Sequence, residues 1–334
     1  MMKLNWDDMR FFLVLCRTQS FVAAGSELKV THSTVSRRLS ALEASLQTQL
    51  FTRTERGCRL TPAGEKLLPY AEQLETTVIR LEENVSGKNN QLSGAIRIGA
   101  PDGFGTCFLA PRFSALQRTH PALEVELIAV PMYYSLARRE IDILITVKKP
   151  SGGNVIVRRL ANYNFGLFAT KKYLAERAPI VSREDLRRHR TIGYIDDLLY
   201  DQDLNFINEF HPGVRPQFRS STLVGQKVAI LADNGIGVLP YFMAHCEPTL
   251  VPVLPQVSAE RTFWLQVNPD ARQIARVRVT IDFIVAEMDG AAGILTEIPR
   301  PSLENGAPSG HFLATAGIPG QKEQEKGHGN PQEH

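Results

Sequence analysis

Cysteine is scarce: four thiols stand in 334 residues, at Cys16, Cys58, Cys107 and Cys246. No two form a CxxC pair and no histidine sits at ligand spacing, which argues against a structural zinc site and leaves reduced, mostly buried thiols as the expected state. Long apolar runs are absent too. No apolar leader opens the chain and no later run would cross a bilayer, so a cytoplasmic protein with no membrane partner is expected. Charge of one sign is also limited: the formal net charge is +3, too mild for a polybasic chain. Catalytic signatures are missing, whether a GxSxG elbow, a GxxxxGK(S/T) phosphate loop, an HExxH helix or a Rossmann fingerprint. His120 precedes Pro121 at a helix end and is expected to be structural. An enzyme is therefore disfavoured, and no cofactor or metal is expected.

What is present concentrates in residues 20–43, SFVAAGSELKVTHSTVSRRLSALE. Phe21, Ala24 and Leu28 recur on one helical face, Lys29 interrupts it, and Val30 is expected to pack under a turn before Thr31 supplies an N-cap hydroxyl. Val35, Leu39 and Leu42 begin a second stripe. Ser20 and Thr31 open the two helices. Between the anchors, His32, Ser33, Thr34, Ser36, Arg37 and Arg38 are outward donors and cations, the chemistry that reads base edges in a major groove and grips phosphates. A plain αα-hairpin would show the same stripes, so the neighbours decide. Upstream, Trp6, Met9, Phe12, Leu13 and Cys16 have helical spacing and would bury the backs of the other two helices. Downstream, LFTRTERGCRLT alternates apolar and basic residues around Arg56 and Gly57, which fits a two-stranded wing with Gly57 in its turn.

Residues 1–60 therefore read as an all-α winged helix-turn-helix that binds double-stranded DNA. His32, Ser33, Thr34, Ser36 and Arg37 are the expected base-edge contacts, and Arg38, Arg53 and Arg56 the phosphate contacts. Lys29, Arg37, Arg38, Arg53, Arg56, Arg59 and Lys66 outnumber Glu43, Glu55 and Glu65, so affinity should fall steeply with salt.

The pieces SFVAAGSEL, VTHSTVSRRLSALE, LFTR and LTPAG resemble, in order and spacing, the N-terminal domain of LysR-type transcriptional regulators. The resemblance continues at LSGAIRIGAP, HPALEVEL, REIDILI and NGIGVLP, and so covers residues 3–288. The chain departs from the family at His32 and Ser33, where Gln then Pro is usual, and at Lys29 and Gln47, where Gly is usual. These departures leave the DNA-binding role intact but put the base preference in question. The resemblance implies a two-lobed, periplasmic-binding-protein-like effector domain, a small-molecule effector, assembly as a homodimer or homotetramer, and RNA polymerase as a further partner. Some relatives sense oxidants, which makes Cys107 the residue of a thiol-based alternative; others have no known effector, which gives a second alternative.

Residues 61–91 begin Thr-Pro, a helix start with proline at the first position. Leu67, Ala71, Leu74, Val78, Leu81 and Val85 then alternate steps of four and three, a heptad seam with Leu67, Leu74, Val78 and Leu81 as expected dimer contacts. A single amphipathic helix lying on its own domain is the alternative, and Pro69 is a possible kink. Two recognition helices one DNA turn apart would read an interrupted palindrome.

Beyond residue 91 short strands at 95–99, 123–130, 142–147, 165–169 and 191–194 alternate with helices at 108–119, 135–140, 172–175, 182–186, 204–210 and 223–234. That alternation implies parallel sheets covered by helices, an α/β domain over residues 92–288. Chain crossings are expected near 162–164 and 267–269, giving lobe one as 92–163 with 268–288 and lobe two as 164–267. An effector is expected where strand ends and helix N-termini face the cleft: Pro101, Asp102, Gly103 and Phe104, Met132 and Tyr133, and Ser221 and Thr222 from the other lobe. Plain helix capping is the alternative for Ser221 and Thr222. Phe104, Tyr133, Tyr134 and Tyr194 could shape an aromatic site or simply pack, and Asp102, Asp196 and Asp197 disfavour a purely anionic effector. Residues 289–334, rich in Gly, Pro and polar side chains, read as a disordered tail.

Overall fold

The computed structural model describes residues 5–54, 57–85, 92–129, 136, 140–152, 154–199 and 205–299, without the side chains of 82–85. Arg56, Met132, Tyr133, Tyr134, nearly all of the helix expected at 135–140 and the tail from residue 300 lie outside the described residues.

Three helices, α1 (Trp6–Thr18), α2 (Phe21–Glu27) and α3 (His32–Leu46), pack around Phe12, Leu15, Ala24, Val35, Leu39 and Leu42. Each begins on a side-chain cap: Asn5, Ser20 and Thr31 accept from Asp7, Ala23 and Thr34 backbone N–H groups. The wing follows as an antiparallel pair, β1 (Phe51–Thr54) and β2 (Gly57–Leu60), with Thr54 opposite Gly57. Phe51 meets the Phe12 ring at 5.5 Å, and Cys58 N–H donates to Gln19 carbonyl at 3.0 Å, so the wing is fastened to the turn between α1 and α2. Gly57 has φ +135, and a Cβ there would lie 2.3 Å from that same carbonyl, so only glycine fits. Lys29 and Gln47, where the family usually carries glycine, hold left-handed backbone at φ 55 and φ 52. Val30 is not packed under the turn; it remains 36% exposed.

Helix α4 (Pro62–Val85) is continuous through Pro69. Its first half belongs to the N-terminal core: Ala71 is buried there and Leu67 packs against it. Glu75 pairs with Arg17 of α1 at 2.6 Å. The expected seam is therefore divided. Leu67 is used within the chain, whereas Leu74 and Leu81 of the seam are 45% and 59% exposed, as is Tyr70, outside the seam, at 67%.

The rest of the chain is built on one eight-stranded sheet. Its strands are β3 (Gly94–Gly99), β4 (Leu123–Ile128), β5 (Ile143–Thr146), β6 (Ile156–Thr170), β7 (Thr191–Tyr194), β8 (Phe218–Ser220), β9 (Ile236–Pro240) and β10 (Leu250–Val267), in the order β4-β3-β5-β10-β6-β9-β7-β8. The sheet is mixed rather than parallel: β4-β3-β5 and β8-β7-β9 are parallel trios, and the two long strands β10 and β6 run antiparallel to each other and to the trio strands they meet. Each trio with one end of a long strand forms a lobe, the same 2-1-3 winding used twice. Helices cover it: α5 (Asp102–Phe104), running through a π turn (Gly105–Leu109) into α6 (Ala110–Thr119), then α7 (Lys171–Ala175), α8 (Ile207–Phe210), α9 (Leu223–Leu231), α10 (Tyr241–Ala244), α11 (Ala275–Gly290) and α12 (Ala292–Thr296).

Two boundaries differ from expectation. Trp264–Val267 of β10 already pair with β5 of lobe one, so the second crossing lies opposite Asn162 and Tyr163, at Arg261 and Thr262, and not at 267–269. The folded chain also continues past 289, because α12 follows α11 and its Leu295 is fully buried. No helix among the described residues is long and apolar enough to cross a membrane.

Candidate nucleic-acid interface and ligand cleft

The N-terminus of α3 is set by Thr31, whose hydroxyl caps Thr34 N–H at 3.3 Å and lies 2.9 Å from Ser33 Oγ and 3.0 Å from Thr34 Oγ1. Thr31 and Thr34 are therefore held in capping contacts, while His32, Ser33 and Arg37 stay exposed and Ser36 half-buried. His32, Ser33, Ser36 and Arg37 share one concave surface of about 610 Å³ with Phe21, Arg53, Thr54 and Gly57. Arg53 reaches it from the wing, its guanidinium over the Phe21 ring at 5.8 Å. A recognition-helix face, a wing cation and an aromatic support thus form one basic concavity, able to meet base edges and phosphates together. Ser20 caps α2 behind it.

Arg38 is a correction. Its guanidinium turns back to α1, pairing with Asp7 at 3.0 Å and Asp8 at 3.2 Å, with the Phe11 ring 5.7 Å away. A cation so neutralised fastens α3 to α1 and is a poor phosphate grip. Glu43 is likewise internal: its Oε1 accepts from Leu50 N–H at 2.7 Å and aligns the start of the wing.

At the expected ligand cleft the described residues of the two lobes meet each other directly. Asp102 of lobe one extends its Oδ2 to Val224 N–H at the start of α9 in lobe two, at 3.1 Å. Helix N-termini bind anions through such free N–H groups, and here the anion is a side chain of the same chain. Burial raises the Asp102 pKa above the ordinary carboxylate value, with hydrogen bonds from Val224, Gly103 and Leu223 opposing it. Thr222 caps α9 by accepting from Gly225 N–H at 3.1 Å; Ser221 is exposed. Pro101 and Gly103 are buried, and a Cβ on Gly103 would lie 2.8 Å from Met243 Sδ of α10.

Phe104 is a core residue rather than a lining one. It stacks on Phe108 at 5.0 Å, meets Phe263 of β10 at 4.2 Å and sets its edge to Phe242 of α10 at 6.0 Å. Phe263 in turn stacks on Tyr163 of β6 at 4.1 Å, so an aromatic cluster straddles both crossing strands. Neither Asp102's reach to α9 nor the joining of Phe104 to Phe242 and Phe263 is readable from sequence, since these partners lie far apart in the chain, as the separation of 122 between Asp102 and Val224 shows.

Cys107 is half-buried, and burial pushes its thiol pKa up against the opposing pull of Lys227. A protonated thiol is a weak nucleophile, which counts against the oxidant-sensing alternative. Among the described residues no group of three His, Cys, Asp or Glu side chains is placed to hold a metal ion.

The two-part architecture has parallels among known proteins. Residues 6–65 match the model of bacterial regulatory helix-turn-helix proteins of the lysR family, and residues 89–289 match the LysR substrate binding domain. The transcriptional regulator CrgA of Neisseria meningitidis is 24% identical over 293 residues, 86% of this chain and 98% of that protein. The transcriptional activator TtdR of Escherichia coli K12 is 27% identical over 293 residues, 84% of this chain and 92% of that protein. Among solved structures, full-length LysG of Corynebacterium glutamicum with its bound effector arginine superposes with a TM-score of 0.60 at 19% identity, covering 86% of this chain and 99% of that one. With both family models matched in order over most of its length, the chain belongs to the LysR family of transcriptional regulators, a helix-turn-helix DNA-binding domain followed by an effector-binding domain.

Proposed function

We propose that the protein acts in the cytoplasm as a homodimer, or a pair of dimers, on an interrupted palindrome, and that an effector in the lobe cleft changes how its two DNA-binding domains sit on that site. The observation that carries the DNA reading is the shared concavity of His32, Ser33, Ser36, Arg37 and Arg53. In it Arg37, with His32 and Ser33, reads bases, while Arg53 holds phosphates; Arg56, outside the described residues, is assigned to phosphates from the sequence alone. The exposed Tyr70, Leu74 and Leu81 of α4, with Val78, support pairing through that helix. Contact with RNA polymerase belongs to the same reading.

The Asp102 contact suggests how the cleft responds. An effector carrying a carboxylate would compete with Asp102 for the N-terminus of α9, and one carrying a cation would bind Asp102 and draw it away; either exchanges an inter-lobe bond for a ligand bond and shifts the balance of lobe positions. A regulator that works without an effector is favoured by the same contact, because the closed arrangement is satisfied without a ligand.

The test of the DNA reading compares two arginines by fluorescence anisotropy on the operator and on random DNA across a salt series. Arg37→Ala should cost about 1–3 kcal/mol on the operator and little on random DNA. Arg53→Ala should weaken both alike and reduce the salt slope by about one. Equal losses on both DNAs for Arg37→Ala would sink the division of labour.

A further inference from the structure

Lobe two contains a cavity of about 310 Å³ at the carboxyl end of strand β7, walled on its other side by Val214, Arg215 and Pro216, which lead into the parallel strand β8, and by Arg219 within that strand. We propose that it is a second ligand site, for a small organic carboxylate carrying a hydroxyl or amino donor next to the carboxylate, with Arg219 and Arg215 gripping the carboxylate and Asp196 the donor. The site does not depend on the reading of the lobe cleft, because all its lining residues among those described belong to lobe two.

Position is the first argument. Loops at the carboxyl ends of parallel strands are where α/β sheets present side chains to ligands, and β7 ends in the buried Tyr194 that closes one side of the cavity. Being on the edge strand β8, Arg219 has no further strand beyond it.

The state of Arg219 is the second. Its Nε donates to the Pro216 carbonyl at 3.2 Å, which fixes the plane of the guanidinium and leaves the terminal nitrogens to other partners. The partner they have is poor: Asp196 Oδ2 stands 3.9 Å from Nη1, and both side chains are well exposed. An open, long ion pair of this kind contributes little, so a bidentate carboxylate can replace it at small cost. Asp196 also accepts from Asn205 Nδ2 at 3.5 Å, and a donor on the ligand would complete what that long contact leaves unmet. Arg215, a second cation lining the cavity, makes no ion pair among the described residues.

Charge defines the class. Among the described lining residues two arginines stand against one aspartate, which favours a single negative charge, and a cavity near the lower end of small-molecule sites favours a ligand of few atoms. The fold also supplies a route outward. Ser220, the end of β8, accepts from Thr222 N–H at 3.2 Å, and Thr222 caps α9, whose Val224 N–H meets Asp102. An occupant on Arg219 is thus a few residues from the bond that joins the lobes.

Titration calorimetry of the full chain with L-lactate, L-alanine and neutral lactamide tests this. Lactate or alanine should bind with a dissociation constant below about 10 mM, lactamide at least tenfold more weakly. Arg219→Gln should weaken that binding at least about tenfold, as loss of a charge-assisted bidentate pair requires, while Asp102→Asn should leave it within about twofold. Arg215→Gln, in an exposed loop that leaves β8 intact, should give a loss of about threefold. The proposal fails if neither acid binds, if lactamide binds as well as lactate, or if Arg219→Gln binds like the parent. A loss on Asp102→Asn equal to that on Arg219→Gln would overturn it in favour of the lobe cleft.

Discussion

The two ends of the molecule treat their polar groups in opposite ways. At the recognition helix, His32, Ser33 and Arg37 are exposed and Arg53 is braced by an aromatic ring, so the donors proposed to meet DNA stand in solvent. At the lobe interface, by contrast, the helix N-terminus meets Asp102 and the apolar space is filled by Phe104 and its neighbours. A surface that binds a large, always-charged partner gains from being preformed. A site that must change state needs a competing internal arrangement of nearly equal free energy, and in the proposed switch the Asp102 carboxylate on α9 is that arrangement.

The sharpest way to break that contrast is to empty the lobe interface. Phe104→Ala removes a ring that touches Phe108, Phe242 and Phe263 and should cost about 3–5 kcal/mol, read from urea unfolding followed by tyrosine and tryptophan fluorescence. The DNA-binding domain has its own core around Phe12, so operator binding at low temperature should persist while the effector domain loosens. A change under 1 kcal/mol, roughly, would mean that the cluster is not what joins the lobes.

How legible this was from sequence follows the same divide. The N-terminal domain is built from contacts between residues close in sequence, so periodicity and capping residues such as Ser20 and Thr31 were enough. Arg38 misled because its outward position on α3 says nothing of Asp7 and Asp8 on another helix. In the effector domain the first parallel trio, β7 and the second half of β6 were readable as short apolar runs, whereas β8 and β9 of the second trio were not read as strands. Nor was strand β10: Pro252 and Pro255 interrupt its pattern, and its register breaks between Val253 and Ser258, so it reads as loop although it is the longest strand described. Missing it also hid the antiparallel centre of the sheet and moved the second crossing downstream.

The next prediction sharpens the comparison through pH. Because burial raises the Asp102 pKa above its unfolded value, its contribution to stability is fully present below the unfolded pKa and is lost as pH rises through the raised folded value. The amide introduced by Asp102→Asn does not titrate. The parent should therefore gain stability relative to Asp102→Asn as pH falls through the acid range, while at neutral pH the two should differ by about 1–2 kcal/mol at most, since the amide oxygen can still accept from Val224. Burial also raises the Asp142 pKa, but that contribution is common to both proteins and cancels in the difference. Parallel thermal melts across pH would reject the Asp102 bond as a titrating link between lobes.

The smallest expected effect tests whether the exposed, ready character of the DNA-binding end depends on its strained turns. Gln47 closes α3 in left-handed backbone, with its N–H on Ala44 and Thr48 N–H on Glu43, the arrangement that glycine fits without a Cβ penalty. Gln47→Gly should therefore stabilise the domain by about 0.5–1 kcal/mol. Lying at the far end of α3 from His32, it should leave the salt slope of operator binding unchanged. Lys29→Gly relieves the same strain in the turn before α3, where φ is 55, but removes an exposed cation beside the interface. It should add similar stability and flatten the salt slope by up to about one. If both variants raise the melting temperature and only Lys29→Gly changes the slope, the lysine is kept for its charge at a cost in backbone strain; if neither changes the slope, Lys29 lies off the path of the DNA and the basic surface is narrower, centred on Arg37 and Arg53.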